Sequence, residues 1–333
     1  MAQLPKAMFA MNPVFLPQLF PEPLLRRLTA VLDIDPDAVT ERFDGADDAL
    51  AEVEVIVSGW GAPVLDAEAL ERAPKLRAVL HAAGSVKGHL GEAVWERGIE
   101  VASAAGANAL PVAEYTLAAI LMAGKGIFDL RERFRDERTF ELGHIHPEVG
   151  NFGLHVGLIG ASAIGRRVAE LLRPFDIEVL LADPYVSAED AAALGARLVD
   201  LDRLVTEAHV VSVHAPDLPE TRHLIDAARL AAMKDGTVLV NTSRGRLVDT
   251  DALVAELRTG RLSAVLDVTH PEPPPADSPL FDLPNVFMTP HVAGSHGNEL
   301  ARMGQCIVEE AERLAAGLPL AHRVDPELLG RRA

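Results

Sequence analysis

The chain has 333 residues, of which 49% are apolar and 24% are charged, and its formal net charge is −18. This length predicts two domains that each bury a core. The acidic balance argues against nucleic acid and anionic membrane as partners, since both require a basic face. A single cysteine, prolines across the first 25 residues instead of a signal-peptide core, and the expected lack of a bilayer-spanning apolar run predict a cytoplasmic protein.

The first hundred residues alternate between short apolar runs and amphipathic segments. Because the spacing is that of strands followed by helices, it predicts a small parallel α/β domain. Ligands bind at the carboxyl edge of such sheets, where the loops after the strands gather. Strands are predicted at 6–11, 53–57, 76–82 and 99–102, and helices at 23–32 and 66–73.

A long apolar segment follows, and Pro111 is predicted to begin a buried helix that crosses into a second domain. Residues 124–150 are charged and irregular, with a predicted helical piece at 130–138. His144 and His146 have the spacing of a metal-binding pair, but no further ligand cluster lies near them in the sequence. We therefore predict no metal site.

The stretch 154–183 contains a strand, a glycine turn, a helix, a second strand and an acid in the order that a dinucleotide site requires. Gly160 and Gly165 punctuate the turn, and Asp183 ends the second apolar run. The pyrophosphate would lie at the N-terminus of the helix. Asp183 would accept hydrogen bonds from the ribose hydroxyls and repel a 2′-phosphate, so NAD is the predicted cofactor.

This fingerprint departs from the usual pattern at its centre, where Ser162 replaces the middle glycine. The serine hydroxyl would donate to a phosphate oxygen where glycine offers only close approach of the backbone. The alternative is a βαβ unit whose glycines merely permit close packing of helix on strand. The acid in register favours the dinucleotide site.

Short polar segments follow three of the apolar runs in the second domain. They read NTSRGRLVD at 241–249, LDVTHPEP at 266–273 and TPHVAG at 289–294. An arginine in such a loop can grip a carboxylate through two parallel hydrogen bonds. Strands are predicted at 209–213, 237–241, 263–268 and 286–288, and helices at 251–259 and 296–316.

Taken in order, these motifs resemble the D-isomer-specific 2-hydroxyacid dehydrogenases. The resemblance covers nearly the whole chain and also includes the motifs AAGS, ANALPVAE and HAPDLPET. It implies an α/β protein with two Rossmann-like, doubly wound parallel-sheet domains, the cofactor domain being inserted into a discontinuous substrate domain. The implied boundaries are 1–103 for the first part of the substrate domain, 104–292 for the NAD-binding domain and 293–333 for the return segment.

The resemblance further implies interconversion of a 2-oxo acid and an (R)-2-hydroxy acid. Arg244 would orient the 2-oxo acid, and His291 would donate a proton to its carbonyl oxygen as hydride arrives from the nicotinamide. Glu272 would hold the imidazole and favour its charged form. The backbone of Gly84 and Ser85 would bind the substrate carboxylate, with Arg244 and His291 as the other substrate contacts.

Contacts to the cofactor are implied in the same way. Asp267 aligns with a family aspartate near the nicotinamide amide. Ala163 stands where many relatives carry a phosphate-contacting arginine, so we expect weaker cofactor binding than is usual in the family. The implied cofactor contacts are Gly160, Ser162, Ala163, Ile164, Gly165, Asp183, His214, Pro216, Thr221, Thr242, Ser243, Asp267, His291 and Gly294.

Two other functions stay open at this level. The fold also serves as an NAD-sensing corepressor, which the catalytic set does not exclude, although the acidic charge and the lack of basic tails favour an enzyme. Relatives of formate dehydrogenase resemble a Gln–His pair instead of the Glu–His pair expected here. Finally, the resemblance implies a homodimer formed through the cofactor domains.

Overall fold

The structure, a computed structural model, describes residues 3–139 and 149–329. The chain divides into two compact units, the first of which runs to Ala109 and resumes at Ser295, while the second spans 110–294. The sequence-based boundaries were 103/104 and 292/293. His144 and His146 lie outside the described residues.

Twelve strands and fourteen α-helices occur in the described residues. The strands are β1 (Ala7–Ala10), β2 (Val39–Thr40), β3 (Val55–Ser58), β4 (Ala78–His81), β5 (Glu100–Ser103), β6 (Leu154–Ile159), β7 (Ile177–Ala182), β8 (Ala196–Leu198), β9 (Val210–Val213), β10 (Val238–Asn241), β11 (Ser263–Leu266) and β12 (Val286–Met288). The helices are α1 (Leu16–Leu19), α2 (Glu22–Val31), α3 (Asp47–Glu52), α4 (Ala67–Arg72), α5 (Glu92–Glu96), α6 (Ala105–Gly124), α7 (Ile127–Glu137), α8 (Ala163–Leu172), α9 (Ala188–Ala193), α10 (Leu201–Glu207), α11 (Ala227–Ala232), α12 (Thr250–Arg258), α13 (Leu300–Ala315) and α14 (Pro326–Leu329).

Each unit contains one parallel sheet. The first sheet has the order β2-β1-β3-β4-β5, and the second has the order β12-β11-β10-β9-β6-β7-β8. In the second sheet the chain proceeds from β6 to β7 on one side and returns to β9 on the other, which makes the β6–β9 boundary a topological switch point. Ligands bind at the carboxyl ends of the strands beside such a point. The predicted class of two parallel-sheet α/β domains is confirmed.

Burial explains why these strands read as continuous apolar runs. Strands β3, β4, β9 and β10 are buried at every position, as expected when helices cover both faces of a parallel sheet. Their Val, Ile and Leu side chains each contribute about 1.5–3 kcal/mol when fully buried. The polar residues that end β3 and β4, Ser58 and His81, are therefore exceptions that require hydrogen-bond partners.

Helix α6 differs from the prediction in where it begins. It starts at Ala105, and Pro111 lies inside it instead of opening it. A proline removes one backbone N–H and disturbs one turn. The helical hydrogen bond from the Asn108 amide to the Ala104 carbonyl (2.9 Å) is already present upstream. The alanine-rich first turns thus extend the helix beyond the position where a proline signal alone would place its start.

The same helix is the most apolar of the described helices. By length and composition alone, α6 is long and apolar enough to cross a membrane, the one such helix among the residues described, although Glu114 interrupts its apolar run. However, core helices of soluble proteins pass the same test. Ala113, Ala119, Ile120 and Ala123 of this helix are buried in a hydrophobic cluster with strands β6 and β7. These contacts bury one face of the helix, whereas Glu114 and Met122 are exposed, so the predicted burial holds for one face only.

Candidate active site

The glycine turn after β6 brings the backbone into contacts that exclude larger residues. Gly160 has a φ of +100°, and a Cβ there would lie 2.8 Å from the amide nitrogen of Ala215. A Cβ at Gly165 would lie 2.2 Å from the carbonyl oxygen of Gly160. Both glycines are therefore required by the geometry of the turn. They place the N-terminus of α8 against the carboxyl end of β6, as a pyrophosphate site requires.

Ser162 is the N-cap residue of α8, and its hydroxyl oxygen accepts a hydrogen bond from the Gly165 amide (3.3 Å). The serine therefore stabilises the helix N-terminus. Because a hydroxyl that accepts still carries its own hydrogen, Ser162 keeps a donor for an anion at this position. Ala163 and Ile164 form the first helical turn and offer only backbone N–H groups to such an anion.

A cation near this turn was missed by the sequence reasoning. The Arg166 Nε atom donates to the carbonyl oxygen of Ala161 (2.9 Å), so a guanidinium lies against the turn although Ala163 carries none. The signal was available in the sequence, since Arg166 directly follows Gly165. Its side chain returns toward the helix N-terminus, as helical side chains commonly do.

Asp183 lies beside the glycine turn, as its position after β7 predicted. One carboxylate oxygen accepts from the Ala161 amide (2.7 Å) and the other accepts from the Tyr185 amide (2.8 Å). These two bonds fix the carboxylate at the edge of the turn. Each oxygen retains acceptor capacity for a ribose hydroxyl, because an ionised carboxylate has about four acceptor positions.

Other residues that were predicted to contact the cofactor use their side chains internally. The His214 ring is 1% exposed, and its Nε2 atom shares a 2.9 Å hydrogen bond with the hydroxyl of Ser212. Burial lowers the pKa of His214 to about 4, so the ring is uncharged at neutral pH. The Thr221 hydroxyl donates to the carbonyl of Pro216 (2.6 Å). These residues would therefore meet a ligand mainly through their backbone.

The side chains of the two residues after β10, Thr242 and Ser243, also form internal hydrogen bonds. The Thr242 hydroxyl pairs with the hydroxyl of Thr116 (2.9 Å), and the Ser243 hydroxyl donates to the carbonyl of Ala215 (2.8 Å). Thr242 and Ser243 are both buried. Their hydroxyls fix the loop after β10 in place.

The three loops predicted to carry chemistry begin side by side. In the sheet register, Asn241 pairs with Leu266 and Leu266 pairs with Met288, each being the last residue of its strand. Arg244 follows the first of these strands, Glu272 follows the second and His291 follows the third. The topology thus gathers them at one edge of the sheet, the carboxyl edge at which the glycine turn also lies.

His291 and Glu272 form a hydrogen-bonded pair. The His291 Nδ1 atom lies 2.6 Å from the Glu272 Oε1 atom, and the two side chains are 50% and 40% exposed. Because a carboxylate accepts, Nδ1 carries the proton in this pair, and Nε2 is the nitrogen that can face a substrate. His291 has a φ of +55°, an uncommon conformation for a residue other than glycine.

Asp267 supports the loop that carries His291. Its carboxylate is 2% exposed and accepts from the Thr289 hydroxyl (2.6 Å), the Val292 amide (2.8 Å) and the Ala293 amide (2.9 Å). Its carbonyl also accepts from the His291 amide (3.0 Å). The expected contact of Asp267 with the nicotinamide amide therefore competes with three internal donors. Gly294 follows Ala293 in the same loop.

A tyrosine that the sequence reasoning did not consider extends this network. The Tyr115 hydroxyl lies 2.8 Å from the Thr289 hydroxyl. Because Thr289 gives its only hydrogen to Asp267, Tyr115 must be the donor. Burial raises the pKa of Tyr115, which keeps this donor protonated.

Arg244 lies directly after the buried loop at the end of β10. One of its guanidinium nitrogens donates to the carbonyl of Ser243 (2.6 Å), which leaves further N–H groups of the fork available. In the part of the chain that the structure describes, no carboxylate forms an ion pair with it. A Cβ at the adjacent Gly245 would lie 2.0 Å from the carbonyl carbon of Thr269, so this turn packs against the loop after β11.

The first unit contains the other predicted substrate contacts. Gly84 and Ser85 follow β4. A Cβ at Gly84 would lie 3.2 Å from the amide nitrogen of the Asn108 side chain. Ser85 is exposed, and its hydroxyl oxygen accepts from the Lys87 amide (3.2 Å). Across residues 3–139 and 149–329, no group of three or more His, Cys, Asp or Glu side chains is arranged to hold a metal ion.

Comparison with known proteins relates this arrangement to a family. The family model for the D-isomer specific 2-hydroxyacid dehydrogenase, NAD binding domain, matches residues 117–293. The chain is 34% identical over 262 residues to a D-3-phosphoglycerate dehydrogenase of Archaeoglobus fulgidus, covering 78% of this chain and 49% of that protein. It is 35% identical over 298 residues to an (S)-sulfolactate dehydrogenase of Chromohalobacter salexigens, covering 85% and 94%.

Comparison with solved structures also finds a similar fold. A phosphoglycerate oxidoreductase from Rhizobium etli matches with a TM-score of 0.82 at 26% identity, and the match covers 97% of this chain and 99% of that one. The chain spans about half the length of the curated D-3-phosphoglycerate dehydrogenases that it matches.

Proposed function

Because the chain belongs to the D-isomer specific 2-hydroxyacid dehydrogenase family, we propose that it is an NAD-dependent oxidoreductase that interconverts a 2-oxo acid and an (R)-2-hydroxy acid. The observation that supports this activity best is the hydrogen-bonded pair of His291 and Glu272 (2.6 Å). A histidine whose Nδ1 proton is held by a carboxylate can transfer a proton through Nε2. Arg244 follows strand β10 and therefore lies at the same carboxyl edge of the sheet as the loops that carry Glu272 and His291.

The residues around the glycine turn fit NAD. The space next to Gly160 and Gly165 admits no Cβ, Ser162 keeps a hydroxyl donor at the N-terminus of α8, and Asp183 presents a fixed carboxylate. The turn would hold the pyrophosphate, and Asp183 would hold the adenosine ribose. When bound, NADH supplies the hydride for reduction of the substrate carbonyl.

The protein's own residues would orient the substrate and move the proton. Arg244 would bind the 2-oxo acid through two parallel N–H groups, a geometry that a lysine does not offer. His291 would donate from Nε2 to the carbonyl oxygen during reduction and accept that proton during oxidation. Glu272 would stabilise the imidazolium and, in the neutral ring, would keep the proton on Nδ1. Gly84 and Ser85 would bind the substrate carboxylate through backbone N–H groups.

Turnover on a panel of 2-oxo acids tests this proposal. The panel contains glyoxylate, pyruvate and 2-oxo acids with branched, aromatic, phosphorylated and sulfonated side chains, each supplied with NADH. We expect NADH oxidation with at least one member and, where the product is chiral, the (R)-2-hydroxy acid, identified by chiral chromatography. The sulfonated product of the same spatial configuration carries the (S) descriptor, because its sulfonated carbon outranks the carboxylate. Glycolate from glyoxylate is achiral, so that reaction is followed by NADH oxidation alone. Tight NADH binding without turnover of any member would contradict the proposed activity and favour an NAD-sensing binding protein.

We also propose that the protein is a homodimer in the cytoplasm. Family membership supports the dimer, and the single cysteine, buried Cys306, supports a reducing compartment because it allows no internal disulfide. Sedimentation equilibrium of the full chain measures the oligomeric state. A monomer at micromolar concentration would contradict the proposed dimer.

A further inference from the structure

A pair of buried histidines brackets the loop that contains Gly84 and Ser85. His81 ends β4 immediately before the loop 82–88, and His89 follows the loop directly. The two rings stack, with their centroids 5.1 Å apart and their planes inclined by 28°. His81 is 3% exposed and His89 is 8% exposed. The stacked rings therefore join the two ends of the loop inside the first unit.

His81 is also connected to the neighbouring strand. Ser58 and His81 are the last residues of β3 and β4, they pair in the sheet register, and the Ser58 hydroxyl oxygen lies 2.9 Å from His81 Nδ1. Ser58 is fully buried. A buried hydroxyl and a buried imidazole at the end of apolar strands satisfy each other in this way.

The charge state of the pair follows from its surroundings. Burial lowers the pKa of His81 to about 3, with the neighbouring His89 acting in the same direction and a hydrogen bond to the Ser85 carbonyl opposing it. Burial also lowers the pKa of His89. Both rings are therefore uncharged at neutral pH.

We propose that His81 and His89 form a clasp that holds residues 82–88 in the conformation in which the amides of Gly84 and Ser85 bind the substrate carboxylate. This inference rests on the proposed function, because it assigns the loop to that carboxylate. Both histidines are positioning residues: His81 is anchored to the neighbouring strand by the Ser58 hydroxyl, and its stack with His89 closes the loop. A preformed loop lowers the ordering cost of binding.

Two substitutions at His81 separate its two contacts. The amide of His81→Asn can reach the position of Nδ1 and pair with Ser58, whereas the longer amide of His81→Gln can donate toward the Ser85 carbonyl. We expect His81→Asn to raise the KM of the 2-oxo acid about tenfold, the scale of one lost hydrogen bond, with kcat changed by less than about twofold. His81→Gln should raise KM less than about threefold. Affinity for NADH should not change.

Two substitutions at His89 test the stack and keep the proposal testable if the His81 variants do not fold. His89→Phe retains a flat ring and should leave KM within about twofold of the wild type. His89→Ala removes the ring and should raise KM about fivefold or more. His155→Asn is the matched control. It alters a part-buried histidine of strand β6 in the second unit and should change neither KM nor kcat.

Hydrogen exchange at the amides of residues 82–88 distinguishes failure of the clasp from failure of the proposed function. Exchange should accelerate in His81→Asn and His89→Ala and stay unchanged in His155→Asn, whether or not the wild type reduces a 2-oxo acid. Unchanged exchange, an unchanged KM in both variants, or equal effects of His81→Asn and His81→Gln would overturn the clasp. Absence of turnover by the wild type would instead overturn the proposed function.

Discussion

Replacing Asp267 by asparagine removes an acceptor beneath the loop that carries His291. The carboxylate accepts from the Thr289 hydroxyl at 2.6 Å, from the Val292 amide at 2.8 Å and from the Ala293 amide at 2.9 Å. The oxygen of an asparagine can retain the first two donors. Its NH2 group would then face the Ala293 N–H, donor against donor.

The loss of unfolding free energy can be worked out from these contacts. One hydrogen bond to a charged acceptor is lost, which costs about 1.5–3 kcal/mol. The two retained bonds lose their charge assistance, which adds about 1 kcal/mol. Asp267 is 2% exposed, so solvent does not replace the missing acceptor. We therefore expect Asp267→Asn to lower the free energy of unfolding of the second unit by about 2.5–4 kcal/mol.

Urea unfolding of the full chain measures this loss, together with kcat/KM for the best 2-oxo acid. Asp200→Asn is the matched control, because Asp200 caps α10 through the Arg203 amide (2.7 Å) and asparagine caps equally well. The control should lose less than about 0.5 kcal/mol. If Asp267→Asn were as stable as the control and equally active, Asp267 would not support the His291 loop.

Three further predictions concern the cofactor, the substrate and acid. Because Asp183 is fixed beside the glycine turn, kcat/KM with NADH should exceed that with NADPH by about tenfold or more; equal values would contradict this orientation. Arg244→Lys should cost about 1.5–3 kcal/mol in transition-state binding while NADH affinity, followed by fluorescence, stays unchanged; loss of NADH binding with intact turnover would contradict the assignment. The pKa values of His81 and His214, about 3 and about 4, lie below the ordinary 6.5, so the unfolded chain binds more protons. Stability should therefore fall as pH decreases from about 6.5 toward 4, by up to about 1.4 kcal/mol per pH unit for each histidine, and urea unfolding at pH 7 and 5 should show a smaller fall in His214→Asn.

Local patterns were sufficient to predict much of the fold. Buried strands have continuous apolar runs, and the helix predicted to begin at residue 66 is α4, which Asp66 caps by accepting from the Ala69 amide (2.9 Å). The three-residue strand β8 was not predicted, because its short sequence, with an exposed Arg197, carries no apolar run. Pairing with β7 fixes this strand through contacts that lie outside its own sequence.

In the candidate site, too, some features could be predicted from local sequence and others depend on contacts between distant segments. The order of motifs placed His291 and Glu272 on neighbouring loops, and the structure brings their side chains to 2.6 Å. The internal role of Asp267 could not be predicted, because its donors follow a different strand and are 22–26 residues away. The contact between Ser58 and His81 likewise depends on strand register. A polar residue that ends a buried strand was the available signal.

In the proposed reaction His291 transfers the proton, and Glu272 acts through His291. The most direct test is kcat/KM for NADH-dependent reduction of the best 2-oxo acid by the wild type, His291→Asn, Glu272→Gln and the double variant. We predict that His291→Asn loses about a hundredfold or more and that adding Glu272→Gln to it changes the rate by less than about twofold. Near-wild-type activity of His291→Asn, or losses that multiply in the double variant, would contradict the account.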